Sequence, residues 1–458
     1  MSRTRIVRGK ITEIVGGDLT YFSESSISEY ATEVYSENSK TDIKHSDNPE
    51  KPPAGEIKAK CLVKFRPHDT YKNKPDFGFD WLREGDSGQK GDNWFGGIMG
   101  KYYESDNVTI YSNGNSWNNN FRKDMKMYDR KLRSYKSFSL TWKKVDKVSY
   151  LYPIPVLTLF KGKTATFNLK IEIQEKPKKL TFEFQNKEAE KYLTLNIKEI
   201  GDIRKGKYDK FNYFKITCKE SFSKEQILYV KADGEICGAM RIHPNSSSFI
   251  RNINVVFIKV ITDINGSSST TKGKPSPNSK LYFLQSLLQG LVRGAASQDI
   301  ELDCTGGLFG NPFQKKFCKV INGKYYIHNS AGMRKFLEDE LQSQYGNKYS
   351  NHYKVFFIGE KYPSWKNGVI AGYTNGFSYF NTTFTVQFAT HTHETVAHEL
   401  LHAMCLPHTF DGISAYSKYT YEAYKTNNIM DYCHHKGIPR MHIYRWQWKT
   451  INNKIQTS

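Results

Sequence analysis

The segment HELLHAMCLPH, residues 398–408, restricts what this chain can become more than any other stretch of it. On an α-helix, residues four apart share a face, so His398 and His402 present two imidazoles to one point. Glu399 stands beside the first imidazole and can reach a water at that point without joining the ligands. The helix cannot run straight through Pro407, so the chain must turn there and can carry His408 back beneath the pair. Three protein ligands around one open position are what a catalytic Zn2+ requires. The spacing is that of H-E-x-x-H-x-x-G-x-x-H, which makes His398, His402 and His408 the expected metal ligands and Glu399 the expected general base. One position departs from that pattern, because Cys405 stands where the glycine belongs. The glycine lets the helix end at positive φ, which a Cβ makes costly by about 1–2 kcal/mol. A domain can absorb a cost of that size, so the turn is expected to form.

A second motif, NNIMDY, lies downstream at residues 427–432. Taken together, HELLHAMCLPH, LPHTF (406–410) and NIMDY resemble the metzincin zinc proteases, and most of all their pappalysin-like branch. The matching motifs cover about residues 395–435. The resemblance implies a peptide-bond hydrolase on an α/β catalytic domain with zinc on the three histidines. It implies that Met430 is a structural floor with no bond to the metal. It also implies that Tyr432 ligates the resting metal and then swings to hydrogen-bond the oxyanion. The strand-like GVIAGYT, residues 368–374, is the candidate edge for an extended protein or peptide substrate, with Gly372 and Tyr373 as substrate-binding candidates. His391, His393, His434 and His435 lie nearby in sequence and receive no ligand role.

The rest of the chain reads as β-rich modules ahead of this α/β domain. Residues 1–56 carry short strand-like bursts and a polar run ending in Pro52-Pro53, expected to be an arm and linker. Residues 57–147 read as a β-rich domain, with Ile57, Ala59, Cys61, Val63 and Phe65 on one face. Residues 148–247 read as an Ig-like antiparallel β-sandwich, where Ala165, Phe167, Leu169, Ile171 and Ile173 alternate strictly with polar residues. From 248 to 458 strand and helix patterns alternate, which is the texture of the catalytic domain.

A net charge of +21 could mark a polyanion-binding surface, but lysine is spread along the whole chain and no nucleic-acid motif accompanies it. A solvated exterior explains the charge, and no nucleic acid is expected as a partner. No run approaches the roughly 18 apolar residues of a membrane span. The seven cysteines are odd in number and scattered, unlike a disulfide scaffold. The opening MSRTRIVRGKITEIVGG has no apolar core of signal-peptide length. Domain order then loosely resembles bacterial effectors of type VI and other contractile injection systems. The expectation is a protein made in a bacterial cytoplasm and delivered to a target cell without a signal peptide, its front modules docking on a secretion spike or tube. The competing class is a non-enzymatic secretion-apparatus or adhesion protein that keeps a structural zinc.

Overall fold

A computed structural model describes residues 60–455 except 74, 111–119, 266–269, 307–309, 367–368 and 413–415. The expected arm at 1–56 lies outside the described residues. The chain is β-rich, with strands in several sheets. Two sheets face each other across one core. The first orders Cys61–Pro67, Thr164–Ile173, Gly206–Cys218 and Leu193–Leu195, antiparallel throughout. The second orders Gly78–Asp80, Val156–Thr158, Glu235–Ile242, Gln226–Ala232 and Leu180–Phe184, with one parallel pair. Period-two alternation closes this sandwich. Ala165, Phe167, Leu169, Ile171 and Ile173 all turn into a core shared with Phe182, Leu228 and Val230. Within it the rings of Phe182 and Phe214 stack at 4.4 Å.

Strand Cys61–Pro67 pairs along its full length with Thr164–Ile173, Cys61 opposite Ile173 and Pro67 opposite Phe167. The stretch 57–147 therefore gives strands to the sandwich that the alternation marks at 148–247. Alternation announces a strand but leaves its partner open, which is why the sequence places a boundary where hydrogen bonds cross.

Beside that edge strand, Arg66 donates to both oxygens of Asp86, from Nε at 2.7 Å and Nη2 at 2.8 Å. Lys64 Nζ lies 3.3 Å from the same carboxylate. Burial favours the neutral acid, but Arg66 and Lys64 outweigh it and hold Asp86 below the usual carboxylate range. A depressed folded-state pKa contributes stability above the unfolded value and loses it as pH falls. Asp86→Asn is expected to cost about 2 kcal/mol at neutral pH. The gap from wild type should narrow below about pH 4, as urea unfolding at both pH values would reveal.

From residue 251 a different architecture begins. The central strand Arg251–Thr262 runs parallel to Val292–Ala296, Ile300–Asp303 and His352–Ile358. Phe384–Gln387 extends the sheet in parallel, and Gly376–Ser378 closes that edge antiparallel. The run NVVFIKVI is apolar on both faces because both faces are covered. Val255 and Phe257 pack with Val355 and Phe357 against helices Ser279–Leu288, His393–Ala403 and Arg445–Lys454. Val256, Ile258 and Val260 face helices Pro312–Phe317 and Met333–Tyr345 on the other side. Among the described residues, no helix is long and apolar enough to cross a membrane.

A further core joins residues 82–135 to residues 419–446. Leu82, Phe95, Met99 and Met127 pack with Tyr419, Tyr421, Tyr444 and Trp446. Backbone bonds accompany the packing: Gly100 N–H donates to Thr420 O at 3.1 Å and Glu422 N–H to Ile98 O at 2.7 Å. Two ion pairs lie buried here, Lys131–Asp80 at 3.3 Å and Arg83–Asp92 at 3.5 Å.

Candidate metal centre

Helix His393–Ala403 starts on Thr392, whose hydroxyl accepts the Thr395 N–H at 3.2 Å. One face of it, Val396, Ala397, Leu400 and Leu401, is buried in the core under the sheet. That burial fixes the rotation of the helix, and with it the direction of His398, Glu399 and His402.

The helix ends in a Schellman turn. Leu406 N–H donates to Leu401 O and Cys405 N–H to His402 O, both at 2.9 Å. That motif needs a left-handed residue at its first position past the cap, and Cys405 takes it at φ 70°. The turn expected of the missing glycine thus forms around a cysteine. Its thiol is buried and donates to Asn381 Oδ1 at 3.0 Å. Cys405→Gly removes the Cβ strain, whereas Cys405→Ala keeps it and loses the thiol bond. Denaturation midpoints should rank the glycine variant above the alanine variant by about 1 kcal/mol; the reverse order would show that the turn is unstrained.

The turn also aims the second histidine. His402 Nδ1 donates to Leu406 O at 2.6 Å, while His398 Nδ1 donates to Ile429 O at 2.8 Å. A carbonyl oxygen only accepts, so each ring carries its proton on Nδ1 and leaves a bare lone pair on Nε2. His402 Nε2 lies 3.1 Å from His398 Nε2 and 3.1 Å from His408 Nε2. His408 Nδ1 sits 3.4 Å from Asp411 Oδ2, which also accepts the His408 backbone N–H at 2.8 Å. Burial, followed by the nearby charge of Arg440 and the other imidazoles, holds His398 well below the usual histidine range. Burial and His408 do the same to His402. Neutral rings with converging lone pairs repel one another unless a cation lies between them. Tetrahedral bonds of roughly 2.05 Å would set such nitrogens about 3.3 Å apart, close to the observed spacing.

Glu399 is half-buried beside this cluster, and its Oε2 accepts from Ser378 Oγ at 2.9 Å. Burial raises its pKa, against the stabilising donation from Ser378. Tyr432 sets its ring 4.7 Å from that of His408 and 5.8 Å from that of His398. Burial, and then the charge of Glu399, push its phenol up to about 12, so at neutral pH it keeps its proton and can donate. Met430 is buried in the same core as the helix face. Its backbone is held at both ends: Met430 N–H donates to Asn428 Oδ1 at 2.9 Å, and Met430 O accepts Thr409 N–H at 3.1 Å.

Gly372 and Tyr373 stand on a different strand from the one that reaches Glu399. Strand Val369–Thr374 pairs with Tyr362–Lys366 in a separate two-stranded sheet. The strand at the open edge of the large sheet is Gly376–Ser378, and it is Ser378 that touches Glu399. The apolar run in GVIAGYT marks a strand, but the short FS pair that forms the edge carries no pattern to find it by.

Sequence reasoning also missed the residues that hold the histidines. Phe410 stacks on His408 with ring centres 4.7 Å apart and planes 8° from parallel. Asp431 accepts from Tyr424 N–H, Thr426 N–H and Thr426 Oγ, the last at 2.7 Å, and so ties down the loop leading into Met430. Arg440 Nε donates to Asp431 O at 2.8 Å. Phe410 and Asp431 lie inside the quoted motifs LPHTF and NIMDY, and Asp411 stands three residues after His408, but no motif position assigns any of them a partner. A scan against models of known protein families finds no match for this chain, and a search among curated proteins finds none either.

Proposed function

We propose that this protein is a zinc-dependent endopeptidase of the metzincin kind, similar in its motifs to the pappalysin-like branch. One observation carries the reading. Three Nε2 atoms converge, and for His398 and His402 the other ring nitrogen is committed to a backbone carbonyl. The donor set suits zinc, which favours imidazole nitrogens. Zinc bound by these three nitrogens would supply Lewis-acid chemistry at the site.

The chain's own residues do the rest. Glu399 takes a proton from the attacking water and later gives it to the leaving amine. The Ser378 hydroxyl holds one carboxylate oxygen, leaving the other to face the water. The neutral Tyr432 phenol donates to the oxygen on which charge develops. An extended polypeptide adds to the open edge Gly376–Ser378, where backbone hydrogen bonds align it in front of Glu399. The order of the chain, β-rich in front and site behind, supports a delivered effector as the wider setting.

Metal analysis of the purified full chain tests the reading at its base. The expected result is one zinc per chain, lost in His402→Ala, together with chelator-sensitive cleavage of an unfolded protein. A metal-free wild-type protein that nevertheless cleaves, or a zinc-loaded one that never does, would overturn it.

A further inference from the structure

A cavity of about 520 Å³ lies between residues 90–93 and the two chain segments that flank Met430 in sequence. One wall comes from Lys90, Gly91 and Asn93, and the other from residues 422–425 together with Lys436 and Ile438. The walls are pinned together. Asp92 bridges to Thr426, and Asn93 Nδ2 donates to Lys425 O at 2.5 Å. Gly91, at φ +82°, permits the approach, since a Cβ there would sit 2.6 Å from Ile438 Cγ2 and 2.8 Å from Asn427 N.

The charge in this cavity is unbalanced. Lys90, Lys425 and Lys436 line it against a single carboxylate, Glu422. Among the described residues, none of the three lysines forms an ion pair, although lysines elsewhere on the surface commonly do. Lys436 instead stands 6.0 Å above the ring of Tyr424, a residue held at φ 66° by the bond from its N–H to Asp431. Ring contacts lead from there toward the candidate metal. Tyr424 and His435 are 6.3 Å apart, His435 and Tyr432 6.2 Å, and Tyr432 and His408 4.7 Å. At roughly 3.3 Å per residue, about five residues of extended chain match the length of that ring path.

We propose that this cavity is a specificity subsite that takes an acidic side chain of the polypeptide substrate. Lys90, Lys425 and Lys436 supply the charge, and Tyr424 supplies an apolar wall for the methylenes. The inference rests on the endopeptidase reading and names its substrate class. Part of the selecting wall then belongs to residues 90–93, far from the motif in sequence.

The test uses the full zinc-loaded chain and matched peptides differing only in Asp/Glu, Asn/Gln or Lys at each position around the cleaved bond. Wild type should cleave the acidic peptides about three- to tenfold faster in kcat/KM than their amide isosteres, the factor that one or two exposed ion pairs supply. That advantage should shrink as salt rises. The double variant Lys90→Glu/Lys436→Glu should lose the preference and favour lysine at the same position. The neutral pair Lys90→Gln/Lys436→Gln should lose it without reversal, which keeps the test alive if charge reversal impairs folding. Lys319→Glu, on a remote strand, should keep the acidic preference. An acidic preference that is missing in wild type, survives both double variants, or vanishes in Lys319→Glu overturns the proposal. A wild type that cleaves none of the peptides fails earlier, and takes the endopeptidase reading down with it.

Discussion

Glu399→Gln is expected to lower peptide hydrolysis by about a thousandfold while the protein keeps its zinc. A positioned general base contributes some 10²–10⁴ in rate, and an amide cannot take a proton from water at neutral pH. The substitution is isosteric, and its carbonyl oxygen can still accept from Ser378, which now bonds Oε2 at 2.9 Å. The three imidazoles are oriented by Leu406 O, Ile429 O and Asp411, none of which the change disturbs. Rate and metal content should therefore separate: kcat collapses and zinc stoichiometry stays. His402→Ala should instead lose both together. Equal cleavage by wild type and Glu399→Gln would remove the catalytic reading and leave the structural-zinc alternative standing.

The second large effect concerns the front of the chain. Residues 248–458 produced alone should fail to give a folded, zinc-loaded enzyme. Without residues 82–127, the core around Tyr419, Tyr421, Tyr444 and Trp446 loses Leu82, Phe95, Met99 and Met127. Burying each such side chain contributes roughly 1.5–3 kcal/mol, so four together approach the whole 5–15 kcal/mol stability of an ordinary domain. The cut also removes Val156 from the core under the sheet and leaves Met441 without the sandwich it packs into. Near-ultraviolet circular dichroism and limited proteolysis would show the loss of fixed packing. A soluble fragment with native zinc content and activity would refute the expectation.

That shared core was hidden in the sequence, and the reason is physical. The histidine motif is local: its spacing, the proline and the left-handed turn are settled within one helix and the next few residues. His398, His402 and His408 do converge, and Cys405 does adopt the positive φ asked of a glycine. The sandwich strands were equally legible, since Ala165 to Ile173 alternate with a period that only a half-buried strand explains. Pairing is non-local, and no pattern in Cys61–Pro67 says that its partner lies a hundred residues away at Thr164–Ile173. The same holds for Met99 and Tyr421, which bridge across the chain. The edge strand Gly376–Ser378 is too short to show a period, whereas Val369–Thr374 is long enough to carry a strand pattern. Asp411, Asp431 and Phe410 act through contacts that only the folded chain creates.

Consider what it means that carbonyl oxygens, rather than side chains, steer two of the imidazoles. Every amino acid brings a carbonyl, so positions 406 and 429 can exchange one apolar residue for another without altering the tautomer of either ring. Inheritance can therefore rewrite the surroundings of such a centre almost freely while its geometry persists.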